Sequence, residues 1–448
     1  NYNTPVTLTP APDAGNTFAG WTGDADCADG SVTMSAARNC IATFTLTPPA
    51  WSETVINPIS AGSNYVAGAV APNGDLHVAY KDATTGPNHV VKSTNWGVAE
   101  PIEYIAACRV GTNGNYVRLS VLTTGHPYAA YQDTSGCDGA GNRTVTMIRK
   151  SPTPGSPCVD GNDGSLGPWC EISRGIGPTQ SVQGFEIAFD TSKTPNSKRE
   201  IVLFRHTIAA NVNKVHGGSC DDELCSAITM PWGTSAWPSI YVDLDISNAN
   251  SSDVHMGYQK TDTAWVAYAF CTDMLGCPNT GHTTYQFISG FELLNIQQGA
   301  TAITRSTSHL IMVYQGNYDL RAIRCLLTTG CDAASDWTFF PGTRPILERI
   351  EDAGSVKTGF MPQVQVDTSG NPHVTFMECN GLCPNPDDPS ATFTGRHAWF
   401  NGLEWTSEAI PGLTSIKAVS HVIDLSNVIH VLALKADTNQ LVEVTKPL

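Results

Sequence analysis

Cysteine and histidine are the residue types whose spacing in this chain carries chemical meaning. The 448 residues hold fourteen cysteines, most in close couples: Cys27/Cys40, Cys158/Cys170, Cys220/Cys225, Cys271/Cys277, Cys325/Cys331 and Cys379/Cys383. Cys108 and Cys137 remain and pair by elimination. An even count in near neighbours is the pattern of disulfides, which persist in oxidising compartments. The expected location is therefore extracellular or at the cell surface. Structural zinc needs Cys-x2-Cys pairs or histidines at ligand spacing. Cys379-x3-Cys383 and Cys220-x4-Cys225 come nearest, and neither has a matching second pair.

The histidines His77, His255, His373 and His430 share one position of an internal repeat, which Tyr128, Ile201 and Ile311 fill in the other copies. A ring of histidines could hold a metal or titrate near neutral pH. Copies of one position are a whole repeat apart, however, and apolar residues replace them. A packed histidine, hydrogen-bonded within its own repeat, is the expectation. Asp160-Gly161-Asn162-Asp163-Gly164 has the oxygen-rich look of a calcium loop, but its spacing is wrong and the distal glutamate is missing. It reads as a solvated turn, as does Asp221-Asp222-Glu223. No cofactor is expected, with calcium as the one alternative.

The elements that must position these residues are short strands. Val364 to Phe376 reads Val-Gln-Val-Asp-Thr-Ser-Gly-Asn-Pro-His-Val-Thr-Phe: a strand, an Asp/Ser/Gly turn, then a second strand with strict alternation. Equivalent second strands are predicted at residues 75–80, 126–131, 200–204, 253–258, 309–314, 371–376 and 427–432. Each has one strand before it and one after. Seven units result, with a period near that of propeller repeats. Fourth strands are marked at Trp337-Thr338-Phe339-Phe340 and at residues 405–410. The seventh unit lacks one, while residues 51–56, which resemble 405–410, precede the first. A closed ring follows, with the strand at 51–56 completing the last blade; closure removes open strand edges. The predicted fold class is all-β: a small module at 1–47, a stiff Pro-Pro linker at 48–50, and a seven-bladed β-propeller at 51–448.

Two family resemblances attach to these stretches. The run from Val6 to Gly23, with Val32-Thr33-Met34 and Ala42-Thr43-Phe44, resembles the divergent internalin-type B-repeat, a small β-grasp-like module of bacterial secreted and surface proteins. That family's opening hairpin should precede Val6, where this sequence has five residues, so the resemblance implies a longer protein. Phe18 and Trp21 are its expected core. Asp-x-x-Gly-x-Pro-His-Val-x-Phe, at residues 367–376, resembles the sialidase-like (bacterial neuraminidase repeat-type) seven-bladed propellers of secreted bacterial proteins. In a cysteine-bearing subgroup the third strand ends in a Cys, a short loop holds a second, and Trp-Thr opens the fourth strand. Ile323-Arg324-Cys325 to Cys331, then Trp337-Thr338, follows that plan, and Cys271 to Cys277 is a second instance.

Catalysis of the sialidase kind is not carried over. It needs three arginines gripping a carboxylate, a tyrosine nucleophile with its glutamate, and an acidic Asp. The early Arg-Ile-Pro motif is absent, and Ser335-Asp336-Trp337 is at best a remnant of an Asp-box. Nothing in the sequence assembles Arg109, Arg118, Arg205, Arg321 and Arg324. No hydrolase elbow, phosphate loop or dinucleotide fingerprint occurs. A net charge of −16 argues against nucleic-acid partners, and no eighteen-residue apolar run exists to insert in a membrane. The functional expectation is a non-catalytic binding or adhesion scaffold for a surface glycan or protein partner. The long loops 151–168, 191–198 and 384–395 are its expected binding face, and its ligand-binding residues are unassigned. The alternatives are a lectin or divergent glycosidase, and a self-assembling subunit of a surface layer or filament; recurrent Trp51, Trp96, Trp337 and Trp405 would suit sugar stacking if exposed, but core residues packed between blades are the expectation.

Overall fold

The computed structural model describes residues 3–11, 16–46, 50–92, 301–316, 319–331, 334–340, 356–380 and 392–448; between 93 and 300 it describes chiefly strands, mostly as backbone alone. The chain forms two compact units, Asn1–Ser52 with Lys446–Leu448, and Glu53–Thr445.

The first unit pairs Pro5–Thr7 with Ser31–Thr33, and Asn16–Gly23 with Cys40–Leu46, both antiparallel. The Phe18 ring lies 5.2 Å from Trp21 and 5.8 Å from Phe44. Phe18 and Trp21 are only half-buried, however, and Phe44 is exposed, while Cys27 and Val32 are fully buried. So short a stretch has too little chain to close over its aromatics.

In the second unit the described residues form seven four-stranded sheets. The first comprises Asn64–Val70, Leu76–Asp82, Gly86–Lys92 and Glu103–Tyr104. The second to fifth begin with Asn115–Val121, Ser181–Phe189, Ser239–Ile246 and Thr301–Arg305. The sixth is Val356–Val366, Pro372–Asn380, Thr394–Phe400 and Trp405–Ala409. The seventh is Ile416–Ile423, Val428–Lys435 and Gln440–Pro447, with Ser52–Pro58 as its fourth strand. The first strands of successive sheets are neighbours in space, and that of the seventh lies against that of the first. This arrangement is a β-propeller.

Alternating apolar residues pack one sheet on the next. Ile311, Val313 and Ala322 of the fifth sheet meet Val374, Phe376 and Phe400 of the sixth, and Val78 and Tyr80 of the first meet Leu432 and Leu434 of the seventh. The first strands would leave unpaired N–H groups on their inner edges. Gln363 Oε1 of the sixth sheet accepts the His421 N–H (3.0 Å) and Ser420 Oγ (2.8 Å) of the seventh, and Gln365 Oε1 accepts the Ile423 N–H (2.8 Å). Side chains of one sheet thus satisfy the backbone of the next.

The turns between first and second strands repeat one design. The N–H groups of Gly74, Gly370 and Asn427 donate to the carbonyls of Ala71, Asp367 and Asp424. The three donors have φ of +89°, +84° and +61°. A tight turn followed by one left-handed residue is the three-residue hairpin, which explains glycine or asparagine there. Asp367 and Asp424 clasp the loop with Oδ1, each accepting two backbone N–H groups.

Candidate functional site

Those turn aspartates begin a buried polar relay in the sixth and seventh sheets. In the sixth, Asp367 Oδ2 stands 3.6 Å from His373 Nε2, His373 Nδ1 is 3.0 Å from His397 Nε2, and His397 Nδ1 is 3.3 Å from Glu408 Oε1. In the seventh, Asp424 Oδ2 is 3.2 Å from His430 Nε2 and Glu443 Oε1 is 2.6 Å from His430 Nδ1. In the first, His77 Nδ1 is 3.1 Å from His89 Nε2, and in the fourth His255 Nδ1 is 2.7 Å from the Tyr268 hydroxyl. All four repeat-position histidines therefore bond to the third strand of their own sheet. The register explains it: His89, His397 and Tyr268 pair with Ala79, Thr375 and Gly257, each two residues beyond the histidine and so on the same face.

Electrostatics differ along the series. Burial, then the Arg305 charge, lowers His255 to about 4. Burial, then His397 and His373, holds His421 well below the ordinary imidazole range. Burial also acts against charge on His430, but its hydrogen bonds to Glu443 and Asp424 prevail and raise it. His421 Nδ1 lies 2.8 Å from Thr375 Oγ1, while its Nε2 is buried without a hydrogen-bond partner. A proton on Nδ1, donated to Thr375, leaves Nε2 a bare acceptor, which costs less than a buried unsatisfied N–H. Among the described residues no group of three or more His, Cys, Asp or Glu could hold a metal ion.

A cavity among the described residues lies elsewhere, between the first and seventh sheets. It has a volume of about 220 Å³ and is walled by residues 59–63, Lys417, Lys435, Ala436 and Asn439. Ser60-Ala61-Gly62-Ser63 forms one wall as a turn: the Ser63 N–H donates to the Ser60 carbonyl, and Gly62 takes φ +84°. Behind it Asp82 accepts from the N–H groups of Ser60, Thr84 and Thr85. Burial would raise that carboxyl, but those bonds prevail and lower it. Opposite stand two mostly buried lysines, Lys417 and Lys435. Lys435 Nζ is 3.0 and 3.3 Å from the Glu53 carboxylate oxygens. Nothing in the sequence reading singled out these lysines, which come from two strands, or the turn that faces them.

Cys27 is disulfide-bonded to Cys40 and Cys325 to Cys331; Cys379 is also disulfide-bonded. Cys108, Cys137, Cys158, Cys225, Cys277 and Cys383 lie outside the described residues, as do 160–164, 221–223, loops 151–168 and 191–198, most of 384–395, Arg109 and Trp96. Cys170, Cys220, Cys271 and Arg205 lie on described strands without described side chains. Trp337 is buried, its ring centroid 4.8 Å from Tyr268 of the preceding sheet, and Trp405 packs 5.0 Å from Phe340. Both are packing residues rather than exposed sugar platforms. Arg321 pairs with Asp319 at 3.5 Å, and Arg324 lies over the Phe340 ring.

Residues 1–48 match the family described as the divergent InlB B-repeat domain. No curated protein matches the chain in sequence. Among solved structures the chain is similar to the BP39L lectin from Burkholderia pseudomallei (12% identity, 85% of this chain and 94% of that one, TM-score 0.49). It is similar also to a catalytically inactive variant of virginiamycin B lyase from Staphylococcus aureus (9%, 88% and 99%, TM-score 0.46). A third is a mutant of AofleA from Arthrobotrys oligospora (10%, 82% and 91%, TM-score 0.45).

Proposed function

We propose that this protein is an extracellular or surface-displayed binding scaffold, a disulfide-stapled propeller that recognises a surface glycan or protein partner without transforming it. One observation carries this reading. Among the described residues, the imidazoles and carboxylates of the repeat positions are engaged in the intra-sheet relays, where they hold strands together. General acid–base work needs such groups within reach of a bound substrate. The cavity instead is lined by lysine, serine and asparagine beside apolar residues, residue types that suit holding a ligand. Disulfides in both units favour an oxidising compartment, and the B-repeat match at 1–48 is of a piece with surface display.

A glycan and polysaccharide array probed with the full chain, with and without calcium, tests it. Selective retention of one class is expected. A blank array together with no captured surface protein would overturn the reading.

A further inference from the structure

The seam between the sixth and seventh sheets carries an inference that does not depend on the scaffold reading. We propose that this seam is an acid-operated latch: uptake of a proton by His421 parts the first strand of the seventh sheet from the sixth sheet, while that strand stays paired within its own sheet.

The sixth sheet has two unlike faces. Val364, Val374, Phe376, Ala398 and Phe400 pack on the fifth sheet. Register places Gln363, Gln365, His373, Thr375 and His397 on the other face, toward the seventh. The bonds that cross this seam are polar. Gln363 Oε1 accepts from the His421 N–H and from Ser420 Oγ, Gln365 Oε1 accepts from the Ile423 N–H, and Asn427 Oδ1 accepts from the Thr368 N–H at 3.0 Å. His421 Nδ1 reaches Thr375 Oγ1 at 2.8 Å. On its other side the seventh sheet meets the first through Val422, Leu432 and Leu434 against Val66, Val78 and Tyr80.

His421 is where the crossing bonds converge. Its ring is buried, with the Nδ1 proton given to Thr375 and Nε2 left as a bare acceptor. A proton added at Nε2 would create a buried N–H without an acceptor and a buried charge, and both are costly. The titratable groups across the seam are His373 and His397, whose charge opposes charge on His421. Asp367 and Glu408 stand at the outer ends of that imidazole pair, set against His373 and His397. On its own sheet His430 pairs with Val422 and so lies on the opposite face, bound to Asp424 and Glu443. Lys417 and Lys435 are the cations of the first two strands, and Lys435 holds Glu53. The closed seam therefore disfavours the proton, by burial first and then by His397 and His373, whereas a parted seam returns the ring to water and its ordinary 6.5. Opening takes up a proton, so the latch is shut above about 6.5 and its opening constant rises about tenfold per pH unit below that.

Residue-resolved hydrogen exchange of the full chain, stepped from about pH 7.5 to about pH 5, tests the latch. The His421 and Ile423 amides bond across the seam. The Val422 amide, by antiparallel alternation, points into its own sheet, as the Asp424 N–H does in donating to the Val428 carbonyl. With intrinsic chemical rates divided out, protection at His421 and Ile423 is expected to fall about tenfold per pH unit below about pH 6.5, while Val422 stays protected. His421→Gln, which has no titrating ring, is expected to hold protection at positions 421 and 423 level across the range. Val422 losing protection in step with the other two would mean that the whole sheet unfolds, and would overturn the latch. Level protection at His421 and Ile423 in the native protein, or a slope that survives in His421→Gln, would overturn it as well. Should the variant fail to fold, the native amides decide alone.

Discussion

His373 and His397 lie face to face in the sixth sheet, with ring centroids 5.2 Å apart, planes 9° apart, and His373 Nδ1 3.0 Å from His397 Nε2. A bond between two imidazoles needs one N–H and one bare nitrogen. Glu408 decides which is which: its carboxylate accepts from His397 Nδ1, so His397 Nε2 is the bare acceptor and His373 Nδ1 the donor. Imidazole nitrogen NMR should therefore show His397 protonated on Nδ1. In Glu408→Gln, whose amide can also donate, that preference should weaken. A His397 protonated on Nε2 in the native protein would contradict the assignment.

His255 makes the fold sensitive to acid. Its folded value is about 4 against an ordinary 6.5, so the unfolded chain binds the extra proton first as pH falls. Stability is full above about 6.5 and declines between 6.5 and 4, by up to about 3 kcal/mol for this one group. His421 acts in the same direction. Urea unfolding at stepped pH should show this slope, and His255→Gln should flatten it in part.

His430 works with the opposite sign. Its folded value is raised, so its contribution is complete below the ordinary 6.5 and is lost as pH climbs through the folded value. Replacing it takes from the almost wholly buried Glu443 its 2.6 Å imidazole partner. His430→Gln should cost about 3 kcal/mol at about pH 6 and less at about pH 9, since removing one member of a buried pair leaves a charge uncompensated. Equal losses at both pH values would count against the pairing.

The two described staples should differ in consequence. Cys325–Cys331 closes a sequence separation of 6. Cys325→Ser with Cys331→Ser should cost about 2 kcal/mol and loosen mainly that loop in hydrogen exchange. Cys27–Cys40 has a sequence separation of 13, in a unit whose only fully buried apolar side chains among the described residues are Cys27 and Val32. Its loss, about 3 kcal/mol, should unfold the first unit while the propeller melts unchanged.

The sheets were legible in the sequence because alternation and turn chemistry act locally. Asp367, Gly370 and His373 announce a hairpin within a few residues, and the second strands come close to their predicted bounds. Fourth strands were less visible where they lack the Trp-Thr start: Glu103–Tyr104 and Thr284–Gln286 are too short to alternate. Partners were harder still. That a histidine sits at the repeat position is written in the chain, but that its mate is His89, Tyr268, His397 or Glu443 depends on strand register. The cavity was invisible for the same reason, since Lys417, Lys435 and Ser60–Ser63 meet only where the last sheet reaches the first.

The most direct measurement mixes the full chain with a panel of acidic and neutral polysaccharides and follows retention and product formation in the same samples. Selective retention, with no new reducing ends and no unsaturated products, is what a non-catalytic scaffold predicts. Cleaved products that accumulate with time would contradict it.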